Sequence, residues 1–325
     1  MKKKPRVLVT RDLSQPVMDR LKRNFTLDVN RPDRPLGRRE LLRRMPAADG
    51  LLCLLTDRID AAVIAAAPKL RIIANYAVGF NNIDLEAANR RNIFVTNTPG
   101  VLTETTADLA FGLILAAARR IPEGDALVRL GQFKGWEPML LLGTDVHGQT
   151  LGIIGLGRIG RAVARRGRGF NMRIIYYEPK RLTRAVEHET GAQYRTLNAL
   201  LKESDIISIH LPLTPQTRHL ISDREFCRMK PDCVLVNTSR GPVVNESALV
   251  RALREKRIAA AGLDVYEQEP RLAAGLNRLR NAVLVPHIGS ASLATRTNMG
   301  MMCVNNLVAV LIERRRPPNP VNKGE

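Results

Sequence analysis

The sequence predicts an α/β protein in which a doubly wound parallel-sheet domain is inserted into a smaller, discontinuous α/β domain. Three observations predict it. Short β-branched or aliphatic runs alternate with helix-period stretches from end to end, a glycine-rich turn stands near mid-chain instead of near the N-terminus, and a long helical pattern follows the last strand run. Parallel strands follow from the alternation, because each return to the same edge needs a crossover helix.

The first series opens with the strand run Arg6–Thr10 and the helical stretch Gln15–Phe25, whose apolar residues are Val17, Met18, Leu21 and Phe25. Strand runs follow at Leu51–Leu55, Arg71–Asn75 and Ile93–Thr96, separated by helical stretches such as Ala61–Ala67 and Leu85–Arg90. Thr103–Arg120 reads as one long helix, with Thr103 as N-cap and Arg119 and Arg120 placed to complement the dipole at its C-terminus. A second series has six strand runs: Thr150–Ile154, Met172–Tyr177, Ile206–His210, Val234–Asn237, Ala259–Val265 and Val283–Val285. With intervening helices they make a doubly wound parallel sheet. The last helix, Ser292–Glu313, runs into Arg314-Arg315-Arg316-Pro317-Pro318, where proline stops it. The outer domain is expected over residues 1–99 plus 289–325 and the inserted domain over 100–288.

A composition of 45% apolar, 25% charged and 4% aromatic residues excludes a disordered or fibrous chain. The longest apolar stretch, Leu109–Ala118, is too short to span a bilayer. Met1-Lys2-Lys3-Lys4-Pro5 is basic like a signal peptide, but only Val7-Leu8-Val9 follows before Arg11 and Asp12, so a cytoplasmic protein without a membrane partner is expected. Cys53, Cys227, Cys233 and Cys303 form no CxxC pair and have no histidine at zinc spacing, so neither disulfides nor a metal site are expected. The 51 Lys and Arg exceed the 31 Asp and Glu by 20 charges, which favours anionic ligands. No basic and aromatic alternation accompanies them, so no specific nucleic-acid partner is expected.

Gly155-Leu156-Gly157-Arg158-Ile159-Gly160 follows the strand run Leu151–Ile154 and opens a helix read as Arg161–Arg168. In that context GxGxxG is the fingerprint of a Rossmann-like dinucleotide domain. Gly155 permits the tight turn, Gly157 lets the backbone approach a pyrophosphate, Gly160 lets helix and strand pack closely, and Arg158 adds a cation. Glu178, 23 residues after Gly155 and at the end of Arg173–Tyr177, is placed to take the adenosine ribose hydroxyls. Lys180, Arg181 and Arg184 follow it and would instead neutralise the extra phosphate of NADP. Because the carboxylate is set by a strand and the cations by a connection containing Pro179, NAD is expected to be preferred, with NADP possible. A fingerprint starting at residue 155 leaves the first hundred residues to another domain, and the cleft between the two is expected to hold the chemistry.

Reactive residues of an open parallel sheet stand just after strand ends. Arg240 follows Val234–Ser239, Glu269 follows Ala261–Val265 within Tyr266-Glu267-Gln268-Glu269-Pro270, and His287 follows Val283–Pro286. Hydride transfer to a 2-oxo acid needs a cation for the carboxylate and the polarised ketone, and Arg240 has the planar fork for it. It also needs a proton donor, and His287 backed by Glu269 suits that, with Glu267 competing as an ordinary loop acid.

These residues resemble those of the D-isomer-specific 2-hydroxyacid dehydrogenases, most closely the glyoxylate/hydroxypyruvate reductases, also called D-glycerate dehydrogenases. The resemblance covers nearly the whole chain, through the stretches Asn75–Asp84, Val95–Thr103, Thr105–Phe111, Leu151–Gly160, Val236–Pro242, Gly262–Pro270 and Pro286–Ser290. It implies a flavodoxin-like outer domain for the substrate, and it agrees with the roles of Arg240, Glu269 and His287. It further implies that the amides of Val78 and Gly79 cradle the substrate carboxylate, and that Trp136 reaches the partner subunit's site in a homodimer. Cofactor contacts are implied for Thr106, Leu211, Pro212, Thr217, Thr238, Ser239, Asp264 and Gly289, besides the fingerprint, Arg240 and His287. Two departures stand out: the high positive charge, and Glu178 where the family often has Asp or a Ser/Arg pair. The activity expected is reduction of glyoxylate or hydroxypyruvate. The alternatives are a 2-ketogluconate or phosphoglycerate-type relative, or a cofactor-sensing corepressor-like binding module.

Overall fold

The computed structural model describes residues 4–31 and 34–322; Met1–Lys3 of the basic start and the end of the outer domain beyond residue 322 lie outside them. In chain order the elements are β1 (Arg6–Val9), α1 (Gln15–Asn24), β2 (Thr26–Val29), α2 (Arg38–Arg44), β3 (Gly50–Cys53), α3 (Ala61–Ala65), β4 (Ile72–Asn75), α4 (Leu85–Arg90), β5 (Phe94–Thr96), α5 (Thr103–Ala118) and α6 (Ile121–Arg129). There follow β6 (Thr150–Ile154), α7 (Arg158–Gly169), β7 (Arg173–Tyr177), α8 (Arg184–Thr190), β8 (Gln193–Tyr194), α9 (Leu197–Glu203), β9 (Ile206–Ile209), α10 (Asp223–Phe226), β10 (Val234–Asn237), α11 (Glu246–Arg254), β11 (Ala260–Leu263), β12 (Ala282–Leu284) and α12 (Leu293–Leu311). They form two compact units, residues 1–102 with 290–325, and residues 103–289.

The outer unit holds a five-stranded sheet in the order β2-β1-β3-β4-β5, every pair parallel. This is the flavodoxin-like order. Side-chain alternation sends Val7 and Val9 to one face and Leu8 to the other, and both faces are buried, so the central strands read as unbroken apolar runs. Asp60, Asp84 and Ser292 cap α3, α4 and α12 by accepting from the amides of Val63, Ala87 and Thr295. α12 lies on the sheet close enough that a side chain at Gly50 would strike Leu307 and Leu311. The edge strand β2 was absent from the expected elements. As an edge strand it pairs on one side only, and its TLDV sequence leaves no residue fully buried.

The inserted unit holds seven parallel strands in the order β12-β11-β10-β9-β6-β7-β8, the doubly wound Rossmann order extended at one end by β12. The expected six become seven because two-residue β8 pairs with β7 through Gln193 and Tyr194. α5, the apolar stretch, is buried through Ala107, Ala110, Phe111, Leu113 and Ile114 in the core shared with β6, β7 and β10. Among the described residues no helix is long and apolar enough to cross a membrane. The single helix expected over Thr103–Arg120 is corrected: it ends at Ala118, Arg120 takes a left-handed φ of 53°, and α6 starts afresh. Thr103 is therefore the first helical residue rather than its cap.

Candidate active site

The carboxyl edge of the inserted sheet gathers the three reactive candidates. Arg240 follows β10, Glu269 lies in the loop after β11, and His287 follows β12. His287 Nδ1 and Glu269 Oε2 are 2.9 Å apart, with 28% and 30% of their side-chain surfaces open, which leaves the pair reachable by a small ligand. Glu269 Oε1 accepts from the Tyr266 amide at 3.1 Å. Burial alone would raise the Glu269 carboxyl, but the hydrogen bond and charge of His287, the Tyr266 amide and the Arg240 charge outweigh it and leave it lowered. The partly buried Arg240 guanidinium donates from Nη1 to the Ser239 carbonyl at 2.7 Å. Burial draws its pKa down, opposed by the Glu269 carboxylate, and an arginine so placed stays charged.

His287 stands in the left-handed region at φ 52°, an uncommon conformation for a non-glycine residue and one that its surroundings must hold. Asp264 holds it. Its Oδ1 accepts from Ile288 N at 2.6 Å and its Oδ2 from Gly289 N at 2.8 Å, while buried Thr106 donates from Oγ1 to the Gly289 carbonyl at 3.1 Å. Asp264, Thr106 and Gly289, expected at the cofactor, thus form the seat of the His287 turn. Burial raises the Asp264 carboxyl, against those two amides and the His287 charge.

The fingerprint lies between β6 and α7. Gly155 has φ 99°, and a Cβ at Gly160 would sit 2.1 Å from the Gly155 carbonyl oxygen, so both positions need glycine. A Cβ at Gly157 would meet nothing within 4 Å, so the loop faces open space there. The helix expected to begin at Arg161 begins at Arg158, with Gly157 as N-cap, which places Arg158, Ile159 and Gly160 in the first turn. Their amides are the donors a pyrophosphate takes. At the tip of β7, Glu178 Oε1 accepts from the Leu156 amide at 2.7 Å. Burial raises its carboxyl, against that amide and the Arg161 charge. Arg181 does not approach it: Nε and Nη2 both donate to Glu187 at 2.8 Å, and the Tyr176 hydroxyl donates to Glu187 at the same distance. This holds the Glu187 carboxyl down at about 2, through Arg181 first and Tyr176 second. Lys180 is exposed.

The remaining candidates divide by location. Leu211 is buried, Pro212 is exposed, and Thr217 Oγ1 closes their loop by donating to the Pro212 carbonyl at 2.7 Å. Ser239 donates from both N and Oγ to Asn237 Oδ1. Thr238 Oγ1 is buried without a hydrogen-bond partner, as is Nδ1 of His210, a residue the sequence reading passed over although it separates β9 from Leu211. Burial lowers His210 to about 3, so it is a neutral imidazole, held at Nε2 by Ser208 Oγ at 2.8 Å. His210 adjoins Gly155 and Thr238 follows β10 at the same sheet edge, and two such buried polar atoms without partners fit a dinucleotide. On the outer unit, Asn97 and Asn75 side chains bind the carbonyls of Val78 and Gly79 at 2.7 and 2.8 Å. Because C=O and N–H of one trans peptide point opposite ways, the grip on the Val78 carbonyl turns the Gly79 amide to the other side. Trp136 is 84% exposed, in the apolar segment after α6.

Comparison with known proteins identifies the family. Residues 111–289 match the family model described as D-isomer specific 2-hydroxyacid dehydrogenase, NAD binding domain. A glyoxylate reductase of Korarchaeum cryptofilum is 52% identical over 322 residues, 98% of this chain and 96% of that protein. A crystal structure from Thermus thermophilus superposes with a TM-score of 0.90 at 48% identity, covering 97% of this chain and 99% of that one. The NADPH-dependent glyoxylate/hydroxypyruvate reductase of Sinorhizobium meliloti, solved with NADP and malonate, gives 0.86 at 33% identity over 98% and 97% of the two chains. A family model spanning more than half the sequence, and relatives matched from end to end, make the conclusion direct: this chain belongs to the D-isomer specific 2-hydroxyacid dehydrogenase family.

Proposed function

We propose that the protein reduces glyoxylate and hydroxypyruvate to glycolate and D-glycerate, as a cytoplasmic homodimer that prefers NADH to NADPH. The observation that carries this reading is the 2.9 Å His287–Glu269 pair beside Arg240, at the same sheet edge as the glycine turn. Gly155–Gly160, Thr238 and Glu178 would hold the dinucleotide. When bound, its dihydronicotinamide supplies the hydride that adds to the carbonyl carbon. Arg240 anchors the substrate carboxylate and polarises the ketone oxygen, where negative charge grows. Because Glu269 engages Nδ1 of His287, the transferable proton belongs on Nε2. The C=O bond becomes C–O⁻, the alkoxide takes that proton, and a neutral imidazole remains hydrogen-bonded to Glu269. Val78 and Gly79 would contribute amides to the substrate carboxylate.

The NADH preference is supported by the strand-held Glu178 and by the engagement of Arg181 with Glu187. The dimer is supported by the exposed apolar residues Val128, Leu130, Phe133, Trp136 and Met139, five within twelve residues of chain, where apolar side chains scattered singly would need no explanation. Four free thiols accord with a reducing compartment. The test is steady-state reduction of a panel of 2-oxo acids by purified protein with each nicotinamide cofactor. Glyoxylate and hydroxypyruvate should give the highest kcat/KM. Binding of NADH without turnover of any 2-oxo acid would instead support a cofactor-sensing module.

A further inference from the structure

We propose that Glu246 and Glu267 are positioning residues, whose reciprocal carboxylate–amide bonds lock the segment carrying Arg240 to the loop carrying Glu269. The inference rests on the roles given above to Arg240, Glu269 and His287. Those two segments leave different strands, β10 and β11, so sequence proximity cannot set the distance between the guanidinium and the carboxylate.

Glu246 opens α11 and is 4% exposed. An acidic residue at that position ordinarily serves its own helix. Here Asn245 performs the capping, accepting from Ala248 N at 3.0 Å, and the Glu246 side chain reaches across to the neighbouring loop. It accepts from Glu267 N at 2.6 Å and from Ala273 N at 2.9 Å, gripping the loop on both sides of Glu269. Glu267 returns the bond, accepting from Glu246 N at 2.9 Å. Its other oxygen lies 2.5 Å from His219 Nε2, and His219 donates its own amide to the Pro242 carbonyl at 2.7 Å, two residues past Arg240. The backbones touch where the segments cross: a Cβ at Gly241 would lie 1.9 Å from the Tyr266 carbonyl. Tyr266 in turn donates its amide to Glu269. An unbroken chain of contacts therefore runs from Arg240 through Gly241 and Tyr266 to Glu269, clasped from outside by Glu246, Glu267 and His219.

The arrangement brings carboxylates 246, 267 and 269 under one another's influence. Burial raises the Glu246 carboxyl, and the charges of Glu267 and Glu269 add to that rise against the two loop amides. Like charges are assembled here only because each is bound to amides or to a basic partner. The charged groups around the His287–Glu269 pair are Asp264, Arg240 and Glu246.

The test uses Glu246→Gln, which keeps the volume and one acceptor but presents an NH2 group to one of the two amides. Expected is a loss of about 10-fold to 100-fold in kcat/KM for glyoxylate, since displacements of the order of an ångström at reacting groups cost that much. The NADH dissociation constant should stay within about twofold, because Glu246 contacts only the Glu267 and Ala273 amides and neither the glycine turn nor Glu178. The high-pH fall of the reduction rate should also move to lower pH, as in Glu269→Gln, because a displaced Glu269 no longer sets its negative charge against the proton-donating ring. In the double variant Glu246→Gln/Glu269→Gln the profile should match that of Glu269→Gln alone. A Glu246→Gln enzyme with normal NADH affinity and an unmoved profile overturns the proposal, whatever its melting temperature. Should that variant fail to fold, Glu267→Gln loosens one side of the clasp and is expected to move the profile in the same direction by less; no movement there is equally fatal. If Glu269→Gln itself leaves the profile unmoved, the assignment of the trio has failed, not the clasp.

Discussion

In the proposed reaction, His287 concentrates the chemistry that a single residue decides. Its contact with Glu269 lowers that carboxyl, net of burial, and the 2.9 Å hydrogen bond orients the ring proposed to give up a proton. Reduction consumes a proton, so kcat/KM should fall as pH rises, and Glu269→Gln, which removes a negative charge from beside the donor, should move that fall to lower pH. A profile of kcat/KM against pH checks it, and a profile that does not move removes Glu269 from the role. His287→Ala should cost about 10²-fold or more in reduction rate, with NADH affinity nearly intact by fluorescence titration. Arg240 is a second decision at this scale. Lysine keeps the charge but loses the fork, and forfeiting one charge-assisted hydrogen bond corresponds to roughly 10-fold to 150-fold, so Arg240→Lys should lose about that in kcat/KM on glyoxylate. A near-wild-type value would refute the anchor.

At the scale of elements, the proposed preference for NADH turns on the connection from β7 into α8. β7 holds Glu178 against the Leu156 amide, where it would face a 2′-phosphate with like charge, while Glu187 on α8 occupies Arg181. The ratio of kcat/KM for NADH to that for NADPH, at saturating glyoxylate, should exceed one in the wild type. It should fall in Glu178→Ala, and it should fall in Glu187→Ala, which releases Arg181. A wild-type ratio below one would mean that Lys180, Arg181 and Arg184 dominate, and a ratio indifferent to Glu178→Ala would mean that this carboxylate does not meet the ribose. The Glu187 effect should be the smaller, because Arg181 is largely exposed and solvent screens its pairing.

For the whole molecule, the proposed assembly turns on the segment from Ile121 to Leu142. Trp136, Met139 and Leu130 are 84%, 75% and 69% exposed, an unfavourable display for an isolated chain. Sedimentation equilibrium should give a dimer for the wild type and a monomer for Leu130→Asp/Phe133→Asp. Trp136→Ala, if that side chain completes a partner's site, should raise KM for glyoxylate several-fold without dissociating the dimer. A wild-type monomer at micromolar concentration would sink the idea.

Central strands were legible in the sequence because burial on both faces makes them continuous apolar runs, as in Val234–Asn237, where expectation and structure coincide. The fingerprint and the trio were legible because parallel topology puts strand ends at one edge, so a residue's place after a strand locates it in space. Edge strands β2 and β8 were not legible, since pairing on one side leaves little hydrophobic signature, nor was the break at Arg120, which a left-handed residue makes inside an apolar pattern. Two acids show the limit most clearly. Glu267 looked like an ordinary loop acid and Asp264 like a cofactor contact, yet one clasps Glu246 across 21 residues and the other seats the His287 turn across 24. By itself the sequence determined the two-part α/β plan, the family and the place of the candidate site residues at strand ends, because periodicity and local motifs specify elements and their ends. Only the tertiary structure decided which amide each carboxylate answers, because those bonds join segments that meet through packing rather than through chain proximity.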